Sequence, residues 1–94
     1  MNGVRDRLCI ALDGSERRWL ADTARAVGTA AGWVKIGLEA FSAHGAGVVD
    51  DVAASGCRVF LDLKLHDIPA TVRRAARNCA AAGADMLTVH AAGG

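Results

Sequence analysis

Four short apolar runs recur along the chain, and each of the first three leads through a turn into an amphipathic, alanine-rich stretch that ends at a glycine. The runs are Leu8 to Asp13, Val34 to Leu38, Val59 to Leu65 and Met86 to His90. Their starts lie about 25 residues apart, the length of one strand-plus-helix unit. Each is predicted to be a strand. Between them the pattern predicts three helices. The first has Ser15 as N-cap and Glu16 in its first turn and ends at Gly28. The second runs from about Gly45 to Ser55, stops at Gly56 and carries Val48, Val49 and Val52 on one face. The third starts with Pro69 at the first helical position, buries Val72, Ala75, Ala76 and Cys79, and ends at Gly83.

Near-continuous apolar strands that alternate with helices indicate an α/β protein with a parallel sheet buried on both faces. Two architectures remain, an open doubly wound sheet and part of a (β/α)8 barrel. The polar residues favour the barrel. Asp13 ends the first strand, Lys35 lies in the second, Asp62 and Lys64 fall late in the third, and His90 ends the fourth. All converge on the C-terminal rim, where barrel enzymes keep their active sites. A doubly wound nucleotide-binding sheet needs a glycine-rich turn after its first strand, and Asp13-Gly14-Ser15 is not one. Four units are half of a complete barrel of about 250 residues. Residues 1–94 are therefore expected to form a single partial domain, the N-terminal half of a barrel, in a truncated or partial chain.

Composition removes several function classes. With 52% hydrophobic residues and a net charge of +1, the chain is neither disordered nor a polyanion binder. Arg73, Arg74 and Arg77 are the one local basic cluster and are expected to be a solvated helix face, so no nucleic-acid partner is expected. No apolar stretch reaches the roughly 18 to 20 residues of a membrane span, and no signal-peptide core precedes the first strand. A cytoplasmic protein with no membrane partner is expected. Cys9, Cys57 and Cys79 are odd in number and widely spaced, and are expected to be buried, reduced thiols. His44, His66 and His90 share no short ligand-like spacing, so no metal site is expected.

The two lysines change the picture. Nine arginines supply the routine surface cations, whereas Lys35 and Lys64 both lie inside apolar strands. An ammonium there is costly to desolvate unless an acid pairs with it or chemistry needs it. Asp62 stands two residues before Lys64, on the same strand face, and Asp67 follows three residues later. Lys35, Asp62, Lys64 and Asp67 are expected to form one buried array whose mutual pairing keeps all four ionised. A purely structural ion network that stitches the second strand to the third is the competing explanation. Such networks seldom repay their desolvation cost. A cationic lysine among carboxylates suits a reaction that develops a carbanion, which the ammonium stabilises and then protonates. A carboxylate aimed at an anionic substrate group raises the ground state and is relieved when that group departs. Loss of carbon dioxide fits both roles.

The stretch Val59 to Thr71, with its D-x-K-x-x-D-I-P-x-T spacing, resembles the signature of orotidine 5'-monophosphate decarboxylase. Ala11-Leu12-Asp13, Val34 to Glu39 and Thr88 to Ala91 occur in the order of that family's first, second and fourth strand ends. The resemblance covers nearly the whole chain. It implies a cofactor-independent and metal-independent lyase of de novo pyrimidine synthesis that makes UMP and carbon dioxide from orotidine 5'-phosphate. It further implies that Lys64 protonates C6, that Asp62 sits against the substrate carboxylate, and that Lys35 orients Asp62 and contacts the ribose. By the same resemblance Asp13 is expected to bind a ribose hydroxyl, and Asp67, Ile68 and Thr71 to reach into the neighbouring subunit's site of a homodimer. His66 and His90 match family residues and are assigned to packing or support. The family's chain is more than twice as long, and its phosphate-gripping loops lie in the other half, so weak or absent activity is expected of these residues alone. Two alternatives stand beside this reading: a magnesium-dependent sugar-phosphate decarboxylase or synthase on the same barrel, and a noncatalytic half-barrel.

Overall fold

The computed structural model describes residues 3–28 and 30–90. A short helix α1 (Gly3–Asp6) precedes β1 (Cys9–Leu12), α2 (Arg17–Val27), β2 (Trp33–Gly37), α3 (Leu38–His44), α4 (Ala46–Ala53), β3 (Arg58–Leu65), α5 (Pro69–Ala81) and β4 (Met86–Val89). All four strands pair in parallel and in sequence order, β1-β2-β3-β4. A doubly wound sheet reverses its winding at a switch point. Consecutive parallel order is instead the wall of a (β/α)8 barrel.

The register explains which side chains meet. Ile10 aligns with Val34, and Leu12 with Ile36. Val34 in turn aligns with Val59, and Ile36 with Leu61. Alternation puts this set on one face. There Leu12, Val34, Ile36, Val59 and Leu61 are buried against Leu20 and Ala24 of α2, Ala40 of α3, and Val48, Val49 and Val52 of α4. The opposite face carries Ala11, Lys35, Phe60, Asp62 and Met86 in neighbouring positions, and none of them is fully buried. The sheet is thus buried on one face, where the apolar strands predict two. Inward-facing side chains of a barrel pack against strands from across its axis, and four adjacent strands leave them without that layer.

Other differences from the pattern are local. The second helix begins at Leu38, where the periodicity predicts strand. Ala40 turns inward there and Glu39 favours the positive first turn. Gly45 then divides it into α3 and α4 with φ 62° and ψ −144°, a conformation nearly confined to glycine. Helix α2 starts at Arg17 with Glu16 as N-cap. Ser15 does not cap it, and its carbonyl meets the His44 ring instead. On α5 Cys79 is buried while Val72, Ala75 and Ala76 are half-buried, and Arg73, Arg74 and Arg77 are exposed. Cys57 and Cys79 are buried thiols, and burial pushes that of Cys79 up. Cys9, expected inside, is exposed, because its position in β1 falls on the open face. Asp85 closes the start of the β3–β4 pair: its N–H donates to the Val59 carbonyl at 2.8 Å, and its carboxylate accepts the Val59 N–H at 2.8 Å. Among the described residues no helix is long and apolar enough to cross a membrane.

Candidate active site

Parallel pairing brings the late positions of β2, β3 and β4 to one rim. Gly37 aligns with Asp62 and Lys35 with Phe60, so Lys35 and Asp62 share the open face of adjacent strands. Asp62 is the centre. Lys64 Nζ lies 2.9 Å from each of its carboxylate oxygens, and Lys35 Nζ lies 3.3 Å from Oδ2. The Thr88 hydroxyl donates to Oδ1 at 2.8 Å. The Asp62 side chain is 12% exposed, against 30% for Lys35 and 65% for Lys64. Lys64 first, then the Thr88 hydroxyl, hold the Asp62 carboxyl down at about 2, opposed by desolvation and helped further by Lys35.

Lys64 departs from regular strand geometry. It has φ 51°, the one positive φ among the described non-glycine residues, a conformation that costs on the order of 1–3 kcal/mol and clusters at functional sites. The β3–β4 register shifts here: Leu61 aligns with Leu87 and Leu65 with Val89. The Lys64 N–H donates to Thr88 Oγ1 at 2.9 Å. Such bulges re-aim side chains next to active sites.

Asp67 does not join the array. Its carboxylate accepts the N–H of Ile68 at 2.7 Å as the chain turns into α5, and it makes no ion pair among the described residues. The expected buried quartet is therefore a partly open trio. Two ammonium groups against one carboxylate leave it one net positive charge, which a balanced quartet would lack. Asp13 is exposed just after β1. Ile68 is 65% exposed at the start of α5, and Thr71 is half-buried in its first turn. His66 and His90 stack at the same rim with ring centroids 4.6 Å apart. Ala91 of the fourth matching segment lies outside the described residues. Thr88, which the sequence reading placed in a matching segment without a role, binds both Asp62 and the Lys64 backbone. Among the described residues no group of three or more His, Cys, Asp or Glu side chains is arranged to hold a metal ion.

The family model described as orotidine 5'-phosphate decarboxylase / HUMPS family matches residues 6–94. The chain belongs to this family. Over 89 residues it is 54% identical to the orotidine 5'-phosphate decarboxylase of Anaeromyxobacter dehalogenans, a match that covers 95% of this chain and 39% of that relative. The crystal structure of the decarboxylase from Pyrococcus horikoshii OT3 superposes with a TM-score of 0.86 at 28% identity, covering 93% of this chain and 43% of that one. That of the Methanocaldococcus jannaschii decarboxylase complexed with inhibitor BMP gives 0.86 at 25% identity, covering 96% and 42%. The chain spans less than half the length of each of these relatives. Its four parallel strands and the helices between them are the first part of the family's TIM barrel; the fourth strand–helix unit expected from the sequence is described only as far as its strand, β4.

Proposed function

We propose that this rim is the reacting half-site of an orotidine 5'-phosphate decarboxylase, which converts orotidine 5'-phosphate to UMP and carbon dioxide in cytoplasmic pyrimidine synthesis. The observation that carries the reading is the Asp62 carboxylate held between two ammonium groups. In the step, the bond from C6 to the carboxylate breaks and its electron pair stays on C6 as carbon dioxide leaves. Lys64 Nζ gives a proton to C6 and is reprotonated from water. The net positive charge of the trio lowers the energy of the developing carbanion. Asp62, kept ionised, repels the substrate carboxylate and that repulsion ends when carbon dioxide departs. Lys35 holds Asp62 and meets the ribose, and Asp13 binds a ribose hydroxyl. The ammonium takes the part that a metal or an organic electron sink plays in other decarboxylations.

Asp67, Ile68 and Thr71 serve the site of a second subunit in a homodimer. Ile68, a large apolar side chain 65% exposed beside the charged rim, supports that reading. The phosphate of the substrate needs the loops that follow later barrel strands, and binding energy from such remote groups drives the chemistry at the reacting carbon. These 94 residues are one partial domain that reaches full activity only with a complementary half.

The test is UMP formation by the chain alone, and mixed with the part of the Anaeromyxobacter relative that follows the matched region. Activity restored by the mixture, unaffected by EDTA, is expected. Activity that vanishes with EDTA and returns with magnesium would move the chain to the sugar-phosphate branch of the family. A folded mixture that makes no UMP would leave a noncatalytic half-barrel.

A further inference from the structure

We infer that Thr88 is the positioning residue of the Asp62–Lys64 pair, holding the carboxylate through its hydroxyl proton and the displaced Lys64 backbone through its lone pair. The inference rests on the decarboxylase reading for its purpose, and on geometry for its substance. Between the aligned pairs Leu61–Leu87 and Leu65–Val89, residues 62, 63 and 64 of β3 face the single residue Thr88 of β4. A strand with such a surplus leaves backbone groups without ladder partners, and a bulged strand needs a substitute acceptor. Thr88 Oγ1 supplies it to the Lys64 N–H at 2.9 Å.

The direction of both bonds is forced. A backbone N–H can only donate and an ionised carboxylate can only accept. With its lone pair committed to Lys64, the hydroxyl sends its hydrogen to Asp62 Oδ1 at 2.8 Å. Each bond polarises the next. One half-buried, β-branched side chain, stiff about its first torsion, thus ties the positive-φ residue to the carboxylate its ammonium binds. The hydroxyl is also the second cause of the low Asp62 value, after Lys64.

Thr88→Val keeps the shape and removes the hydroxyl, and Thr88→Ser keeps the hydroxyl. Carbon-detected titration of the Asp62 carboxyl in the 94-residue chain, with the Lys64 amide followed in parallel, reads both bonds without turnover. Thr88→Val is expected to raise the Asp62 pKa by about one unit, the tenfold change one charge-assisted hydrogen bond supplies, and to move the Lys64 amide resonance. Thr88→Ser is expected to leave both near the parent's values. An unshifted Asp62 in Thr88→Val, or an equal shift in Thr88→Ser, overturns the inference. So does collapse of the amide spectrum in Thr88→Val while Thr88→Ser stays folded, because the hydroxyl then serves the sheet as a whole. Failure of the chain mixed with its complementary half to make UMP sinks the decarboxylase reading and leaves the titration result standing, so the two failures are separable.

Discussion

Lys64 Nζ stands at 2.9 Å from both carboxylate oxygens of Asp62, so two residues separated by one position on β3 close a bidentate ion pair. Strand alternation aims both side chains at the open face, and the bulge adds the positive φ of Lys64. Lys35 reaches the same carboxylate from the adjacent strand. The charge arrangement therefore depends on one sheet register and one local distortion.

The pair makes stability depend on acid pH. Asp62 is held at about 2, below the roughly 3.9 of an unfolded aspartate. A depressed carboxyl contributes stability that is fully present above the unfolded value and is lost as pH falls through the folded one. The unfolding midpoint of the parent should drop between about pH 4 and pH 2. Asp62→Asn should flatten that part of the curve in thermal melts taken across this range. Parallel curves for the two proteins would remove Asp62 as the source.

Lys64 separates activity from stability. In a complete barrel Lys64→Ala should abolish turnover with the fold retained. Lys64→Gly should be equally inactive yet more stable than Lys64→Ala by about 1 kcal/mol, because glycine adopts a positive φ without strain. UMP formation and urea denaturation measure the two effects. Near-parental rates in either variant would take Lys64 out of the mechanism.

Sharing of the site between subunits has a direct test. Asp67→Ala and Lys64→Ala barrels, each inactive, should regain part of the activity when mixed, since one mixed site then contains both native residues. Size-exclusion chromatography establishes that dimers form, and a mixed dimer without activity would place Asp67 outside the partner's site.

Gly45 is the joint between α3 and α4. A Cβ there meets open space, so Gly45→Ala reports backbone strain alone. Its φ 62° and ψ −144° predict a loss of about 1–3 kcal/mol, read by chemical denaturation. An unchanged midpoint would mean that the joint relaxes into another conformation.

Much of this molecule was legible in order. All four strands lie within about two residues of their apolar runs, and α2 and α5 fall where glycine and proline punctuate the chain. The joint at Gly45 was less legible, because alanine-rich periodicity continues across it and a single glycine reads equally as an end or a bend. Ser15 looked like a cap by residue type, but the nearby His44 ring engages its carbonyl. Thr88 gave no signal, since an isolated threonine in a strand is ordinary.

The sequence by itself determined the alternation of strands and helices and the nearness of Asp62 to Lys64, because these follow from periodicities along one chain. Tertiary structure alone decided that Asp67 stays out of the cluster and that Thr88 bridges carboxylate and backbone. Those contacts depend on inter-strand register and on a bulge, and a shift of one residue would send each side chain to the other face.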